Sequence, residues 1–325
     1  MIDVHAHAVL PGVMGCAGHY GPELGVGPEG RPRFRVGDYV LDGVDYTGTP
    51  FMDPDVRLRV NDHLGIELQV VSPNPITYFH HVEAEIAIEF CHWHNDELAA
   101  VVAGHPDRFR GFAQLPMQDI DAATAELRRA VEDLGLLGAY IGTDFQTDLD
   151  DERLDPFWST ASALDVPVFI HPAPAGIDGP LRDPRVRKYD LDLSLGFLYE
   201  ETLAIACLIF GGVLDRHPAL DICMSHGGGA SAYMLGRLDY QGRSRPWARA
   251  HPVDFAGSLR RLWFDNHVHD ARALALLGDQ VGRDRLVLGT NLAGWDAPHE
   301  PDDVVFDPVY DDNARRLLRL DSRMR

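Results

Sequence analysis

The chain has 325 residues, of which 45% are hydrophobic and 24% are charged, and these proportions exclude an intrinsically disordered protein. Fifty acidic and 29 basic residues give a formal net charge of −21, which disfavours nucleic acid and anionic membrane surfaces as partners. No run of 18 apolar residues occurs, and residues 1–10 lack the features of a signal peptide, so we expect a cytoplasmic protein without a membrane span. The four cysteines form no Cys-x-x-Cys pair, which favours reduced thiols.

Short apolar runs of strand length alternate with segments that have helical periodicity. The runs are residues 2–4, 67–72, 110–115, 138–142, 166–170, 220–225, 262–265 and 285–289. The helical segments include 82–103, 122–134, 199–216 and 271–281. This alternation predicts a parallel sheet, and eight units in about 300 residues predict a (β/α)8 TIM barrel. An open doubly wound sheet is the alternative, although the first run lacks the glycine fingerprint that favours it.

Residues 8–53 separate the first predicted strand from its helix and are rich in glycine and proline. An insertion of this length in a compact domain is usually functional, and this one leaves the end of the strand where TIM barrels carry their active sites. We see no linker, repeat or low-complexity tract. The sequence therefore predicts a single domain over 1–325 with an inserted loop near the active-site mouth.

Polar side chains with ligand or catalytic chemistry follow four of the predicted strands. His5 and His7 point to the same side of the first strand, because alternate residues of a strand share a face. His171 ends the fifth run, His226 the sixth and Asn291 the eighth. Neutral imidazole is the commonest metal ligand, so we expect these groups to hold a divalent ion, zinc or manganese, at the barrel mouth.

Two more histidine pairs follow predicted strands. His80 and His81 come after the second run, and His267 and His269 come after the seventh, where they repeat the His-x-His spacing. Either pair lines the pocket wall or serves only in packing, and the sequence leaves both interpretations open.

These residues resemble a known group, the decarboxylase branch of the amidohydrolase superfamily, typified by aminocarboxymuconate-semialdehyde decarboxylase. The matching pieces span most of the chain and occur in family order. They are Asp3-Val4-His5-Ala6-His7, Asp53-Pro54-Asp55-Val56-Arg57, Leu115-Pro116-Met117-Gln118, His171-Pro172, Gly211-Gly212-Val213, Ser225-His226-Gly227-Gly228-Gly229-Ala230 and Leu288-Gly289-Thr290-Asn291.

The resemblance implies roles for individual residues. His5, His7 and His171 match the family's histidine metal ligands, and His226 matches the catalytic histidine beside the metal. Arg237 matches an arginine that reaches a substrate carboxylate across a dimer interface, which implies a homodimer. Arg35, in Phe34-Arg35-Val36, matches a second arginine that binds a substrate carboxylate, although this match depends on the alignment of a variable loop.

Asn291 departs from the family pattern, which has an acidic ligand and proton handler at this place. An amide oxygen can coordinate a cation, but it brings no charge and is no base near neutral pH. Three explanations remain open: a natural subgroup that uses asparagine, a variant made to trap a complex, or replacement of the carboxylate by Asp296. We favour the first and keep Asn291 as a candidate metal ligand and catalytic residue.

Three functions are consistent with these residues. The first is metal-dependent, non-oxidative decarboxylation of a small aromatic or unsaturated carboxylic acid, with zinc as the expected ion. The second is hydrolysis of a C–C, amide or lactone bond, or hydration, at the same site, because a fold alone does not decide the reaction. The third is a metal-poor binding protein, which the replacement at Asn291 suggests. We favour decarboxylation, because protonation by a histidine does not need the missing carboxylate as a base.

Overall fold

A closed barrel of parallel strands forms the centre of the computed structural model, which describes residues 1–173, 184–249 and 251–320. Its strands are β1 (Ile2–Ala8), β5 (Leu68–Pro73), β6 (Phe109–Gly111), β7 (Ala113–Gln114), β8 (Ala139–Ile141), β9 (Val168–Ile170), β10 (Ile222–Met224), β11 (Trp263–Asp265) and β12 (Leu286–Val287). The strands β6 and β7 are two parts of one barrel strand, because β6 pairs with β5 and β7 pairs with β8. Parallel bridges from Asp3 to Leu288 and from Ala6 to Leu292 close the ring. This closure confirms the TIM barrel and excludes the open sheet.

Each of the eight predicted apolar runs contains a barrel strand. The largest difference is in β1, which extends to Ala8 where the apolar run ended at residue 4. The apolar pattern predicts a shorter strand because His5 and His7 are polar. In the structure all seven residues of β1 are buried. The extension therefore carries both histidines into the interior.

Helices pack around the barrel and over its ends. They are α1 (Pro54–Leu64), α2 (Ala84–Gly104), α3 (Ile120–Glu132), α4 (Asp155–Ala163), α5 (Phe197–Phe210), α6 (Val213–Arg216), α7 (Ser231–Ser244), α8 (Phe255–Leu259), α9 (Ala271–Val281) and α10 (Val309–Leu318). Asp119 caps α3 by accepting a hydrogen bond from the amide of Ala122, as its position before the periodic segment predicts. The predicted helix over 199–216 is broken at Gly211 and Gly212, where Gly212 has a φ of +72° that interrupts the helical backbone.

The segment between β1 and α1 contains a small antiparallel sheet of β2 (Glu23–Val26), β3 (Pro32–Val36) and β4 (Tyr39–Asp42). Phe34 and Val36 of β3 are buried in the main hydrophobic core. The amide of Val9 donates to the carbonyl of Phe51, which brings the two ends of the segment together. The segment is thus folded onto the barrel, and its position near the active-site mouth stays a prediction.

Three hydrophobic clusters occur among the described residues, and the two largest stabilise the barrel. The larger lies between strands and helices, and the smaller fills the barrel and continues into α10, which contributes Leu317 and Leu318. Inside the barrel, Tyr140 and Phe169 stack at 5.2 Å between ring centroids. Because α10 covers the end where β1 begins, the opposite, carboxyl-terminal end is left for the polar side chains.

One helical stretch in the described part of the chain, Lys188–Phe210, is long and apolar enough to span a membrane by length and composition, with a mean hydropathy of 1.6. A search for uninterrupted apolar runs does not find this stretch, because polar residues interrupt it. Its average composition is nevertheless apolar. Glu200 and Glu201 of this stretch are buried, and Glu201 bonds a histidine at the barrel mouth. These contacts are those of a helix packed against the barrel.

Candidate active site

A bulge in β1 directs both of its histidines into the barrel. The register against β5 shifts between Asp3 and Ala6, so the alternation of side chains changes within the strand. Val4 and His5 are consecutive residues within the shifted part of the strand, and both face the interior of the barrel. Val4 packs in the cluster that fills the barrel, and the His5 ring lies 5.4 Å from the Phe169 ring. The bulge therefore places apolar packing and polar chemistry on the same side of one strand.

A buried polar network fixes the position of β1. Arg57 of α1 donates to Oε1 of Gln69 at 2.9 Å and also to the carbonyl of His7. Gln69 donates to Asp3 at 2.8 Å, and the Thr290 hydroxyl donates to the same carboxylate at 2.7 Å. These contacts account for the arginine of the Asp53-Pro54-Asp55-Val56-Arg57 motif: it holds the end of the strand that carries the histidines.

The imidazoles of His5, His7 and His171 meet at the carboxyl-terminal end of the barrel. Their ligand atoms all lie within 4.8 Å of one another, and their ring centroids are 4.9 to 5.0 Å apart. We call these three residues the histidine triad. All three are buried, and the structure therefore brings together the side chains that the sequence placed at the ends of the first and fifth strands.

Each triad histidine is oriented by a hydrogen bond from Nδ1. His5 donates to Oδ2 of Asp265 at 2.6 Å, His7 to the carbonyl of Pro73 at 3.1 Å, and His171 to the carbonyl of Pro172. The Nε2 atoms of His5 and His7 then face each other at 3.2 Å, and Nε2 of His171 is buried with no hydrogen-bond partner in the described part of the chain. Lone pairs that converge in this way, each fixed through the other ring nitrogen, are what a metal ion requires.

Burial keeps the triad neutral. It lowers the pKa of His7 to about 3 and holds the pKa of both His5 and His171 well below its usual value, with a further decrease from the neighbouring histidines. A neutral imidazole offers a lone pair, whereas an imidazolium does not. The triad is thus in the protonation state that binds a metal.

His226 lies against the triad but is in the opposite protonation state. Its ring centroid is 4.9 Å from that of His171 and 5.2 Å from that of His5. Its Nδ1 bonds Oε1 of Glu201 at 2.7 Å, and the Ser225 hydroxyl donates to the same oxygen. Burial alone lowers the pKa of His226, but the Glu201 carboxylate outweighs burial and raises it to about 9. A protonated imidazole therefore stands beside three neutral ones.

The amide Nδ2 of Asn291 donates to Oδ1 of Asp296 at 2.7 Å, and the buried side chain of Asn291 also contacts His7 of the triad. The other oxygen of Asp296 bonds Nε2 of His267 at 3.0 Å and Nε2 of His269 at 2.8 Å. Burial alone raises the pKa of Asp296, yet these histidines hold it well below its usual value. Asp296 is thus directed at His267 and His269, and Asn291 lies at its other side.

The two candidate arginines lie outside this cluster. Arg35 is in β3, where it bonds Glu23 at 2.8 Å and the carbonyls of His19 and Gly37 at 2.9 Å each. Arg237 is exposed on α7. These contacts of Arg35 do not include a residue of the triad.

The profile of the amidohydrolase family matches residues 2–320. The chain belongs to the amidohydrolase family. It is 35% identical to 2-amino-3-carboxymuconate-6-semialdehyde decarboxylase of Dictyostelium discoideum, over 74% of this chain and 66% of that protein. It is 33% identical to gamma-resorcylate decarboxylase of Rhizobium radiobacter, over 83% of this chain and 88% of the relative. The structure of dihydroxybenzoic acid decarboxylase from Polaromonas sp. JS666, with bound manganese and 2-nitroresorcinol, has a TM-score of 0.75 and 25% identity over 98% and 97% of the two chains.

Two carboxylates of this amidohydrolase site were missed by sequence reasoning. Glu201 lies 25 residues before His226 on an apolar helix, and nothing local to the histidine indicates it. Asp265 is different, because it ends the seventh predicted run at the same edge as the histidines, and that position was a usable signal. Its Oδ1 accepts hydrogen bonds from the amides of Gly227 and His267, so one side chain positions three segments of the mouth.

Proposed function

We propose that the chain is a metal-dependent, non-oxidative decarboxylase of a small aromatic or unsaturated carboxylic acid. The observation that carries this proposal is the juxtaposition of two kinds of histidine: a neutral triad with converging Nε2 atoms, and His226, which Glu201 keeps protonated. The relatives named above are decarboxylases, and the chain shares their family.

Three imidazoles and one amide oxygen would hold the ion. His5, His7 and His171 supply the nitrogens, and the buried Oδ1 of Asn291, whose side chain contacts His7, supplies a fourth donor. Zinc is our first choice because three imidazoles form a common zinc site, and manganese is the alternative because a related structure contains it. When bound, the ion supplies Lewis acidity that polarises a substrate oxygen.

His226 would supply the proton. Its Nδ1 is engaged by Glu201, so Nε2 is the nitrogen from which a proton passes to the substrate carbon that bears the carboxylate. The bond between that carbon and the carboxylate then breaks, its electron pair restores the conjugated system, and carbon dioxide leaves. Solvent returns a proton to His226. Glu201 holds the ring in place and stabilises the imidazolium before transfer.

We assign the binding of the substrate carboxylate to arginines, because the planar guanidinium group can donate two parallel hydrogen bonds to a carboxylate. We propose that the active unit is a homodimer in which Arg237 reaches the partner's site. Arg237 shares a face of α7 with Tyr233 and Tyr240, which are 85% and 69% exposed, and such exposed aromatic surface is typical of an interface. Arg35 remains a second proposed carboxylate ligand, and this role would require the substrate to displace Glu23.

Residues 1–325 would act as one cytoplasmic domain with a small carboxylic acid as its partner, and neither nucleic acid nor membrane is part of the proposal. The net charge of −21 supports this view, because it repels polyanions and makes local arginines necessary for an anionic substrate.

The product decides between decarboxylation and the alternatives. The purified protein, loaded with zinc or manganese, is incubated with 2,6-dihydroxybenzoate and other aromatic and muconate-like acids in deuterated water. We expect carbon dioxide and a product that carries deuterium on the carbon that lost the carboxylate. The His226→Asn variant should lose this activity, while the exposed His63→Asn control keeps it. A product that has gained the mass of water, without carbon dioxide, would identify a hydrolase or hydratase instead.

A further inference from the structure

A second group of potential ligands lies at the barrel mouth, next to the histidine triad. It consists of His267, His269 and Asp296, which we call the mouth cluster, and its ligand atoms lie within 4.8 Å of one another. Nε2 of His267 is 3.0 Å from Oδ2 of Asp296, Nε2 of His269 is 2.8 Å from the same oxygen, and the two nitrogens are 3.1 Å apart. Three donor atoms therefore converge on one point.

The surrounding structure holds these donors in place. The amide of His267 donates to the buried Asp265, and the Nδ2 of Asn291 donates to Oδ1 of Asp296, which leaves Oδ2 for the cluster. His269 has a φ of +59°, a region that side chains other than glycine rarely adopt. A costly backbone conformation that directs a ligand towards two others is typical of a functional site.

The mouth cluster is separate from the triad but adjacent to it. The His267 ring is 6.1 Å from that of His5 and 5.8 Å from that of His226. The cluster also lines a cavity of about 310 Å³ that is shared with Asp270 and Thr290. His267 and Asp296 are largely buried, with 7% and 12% of their side chains exposed, whereas 57% of the His269 side chain is exposed. An ion can therefore enter from the cavity without passing the triad.

We propose that the mouth cluster binds a second divalent cation of the zinc type, beside the ion held by the triad. Two imidazoles and a carboxylate are a common ligand set for first-row metals. Ligands at about 2.0–2.1 Å around a tetrahedral ion are separated by about 3.4 Å, close to the separations of the three donors. The remaining coordination positions face the cavity, where a substrate oxygen or water would complete the shell.

A purely hydrogen-bonded cluster is the competing explanation. If both Nε2 atoms carry a proton, both donate to Oδ2 but two N–H groups stand 3.1 Å apart. If only one carries a proton, the lone pair of the other nitrogen faces the Oδ2 of Asp296 without a proton between them. An ion removes either conflict, because both nitrogens and the oxygen then present lone pairs to one positive centre.

The number of bound ions tests the proposal. The full-length chain is stripped with a chelator, reloaded with zinc and freed of excess, and the zinc per chain is measured by elemental analysis. Reloading with cobalt gives an absorption spectrum for each occupied site. We expect two ions per chain, one in the His269→Gln variant and one in the His171→Gln variant, with different cobalt spectra in the two variants. The His63→Gln control, which alters an exposed histidine paired with Glu300, should keep two.

Three results would overturn the second site. One ion per chain that His269→Gln leaves unchanged would mean that the mouth cluster is hydrogen-bonded only. One ion that either variant abolishes would mean a single shared site. Two ions that both persist in His269→Gln would place the second ion elsewhere. Because His269 is exposed, its replacement should not prevent folding, and an unchanged melting temperature of the metal-free variant checks this. The counts do not depend on catalysis, so they are independent of the proposed reaction.

Discussion

Nδ2 of Asn291 donates a hydrogen bond to Oδ1 of Asp296 across 2.7 Å. This contact gives a physical reason for an amide where the family pattern has an acid. A carboxylate at position 291 would face the carboxylate of Asp296 at hydrogen-bond distance, and like charges this close are unfavourable. Asparagine also tolerates the φ of +52° that the backbone adopts there. The departure from the family pattern is thus coupled to Asp296 and fits a natural subgroup.

The first prediction concerns Asn291→Asp in the metal-free protein. Repulsion between the two carboxylates should raise their pKa values, so the variant loses stability as the pH rises through the raised pKa. A rise of one pKa unit corresponds to about 1.4 kcal/mol. We expect the variant to melt several degrees below the parent at pH 8 and to approach the parent only as the pH falls below about 4, the usual pKa of an aspartate. Equal melting temperatures at pH 8 would contradict the coupling. Asn291→Ala is the control, since its loss should not depend on pH.

The second prediction concerns the pH profile of the reaction. The Glu201 carboxylate raises the pKa of His226, so the proton donor is present below that pKa and is lost above it. In Glu201→Gln the pKa of His226 should fall, and kcat should decline from a lower pH, tenfold for each unit above the new value. The control is Glu200→Gln, a buried neighbour on the same helix. A kcat that falls equally at every pH would mean that Glu201 acts only on structure.

The third prediction concerns metal affinity. Asp265 accepts the Nδ1 hydrogen of His5 at 2.6 Å, and such partners typically change affinity by about 10–100-fold. We expect Asp265→Asn to weaken binding of the triad ion by this factor, measured by competition with a chromophoric chelator. Asp221→Asn is the control, because Asp221 bonds Arg319 and Trp263 away from the triad. Unchanged affinity in Asp265→Asn would show that this carboxylate does not orient a ligand.

The sequence predicted the barrel and the triad for one physical reason. Apolar runs identify barrel strands, and polar residues at their carboxyl ends must meet at one edge, as His5, His7 and His171 do. Partners supplied by packing could not be predicted in this way. Glu201 reaches His226 only because α5 packs across the barrel mouth. Whether Asp296 contacts the triad or His267 depends on the conformation of the loop after β12.

The fourth prediction concerns the homodimer. If Arg237 acts in the partner's site, a mixture of Arg237→Ala and His226→Asn chains forms heterodimers with one intact site, and activity should return although each variant alone is inactive. If Arg237 acts within its own chain, both sites of the heterodimer are defective and no activity returns. The activity of mixed and refolded chains distinguishes these outcomes. A monomer in light scattering would contradict the proposal as well.

The fifth prediction concerns stability in acid. His80 is buried, and its Nε2 accepts a hydrogen bond from the amide of Gly142 at 3.2 Å. Burial lowers the pKa of His80 to about 3, below the usual value of 6.5. Below pH 6.5 His80 is therefore protonated in the unfolded chain but stays neutral in the folded chain. This difference lowers the free energy of unfolding by about 1.4 kcal/mol per pH unit, down to about pH 3.

Replacing His80 by glutamine should remove this cost. We expect His80→Gln to be less stable than the parent at pH 7, because packing is lost, but to recover about 2 kcal/mol relative to it at pH 5. Urea denaturation at the two pH values measures the difference. A stability difference between His80→Gln and the parent that is the same at both pH values would mean that His80 is protonated in the folded chain, and that its buried surroundings admit the charge.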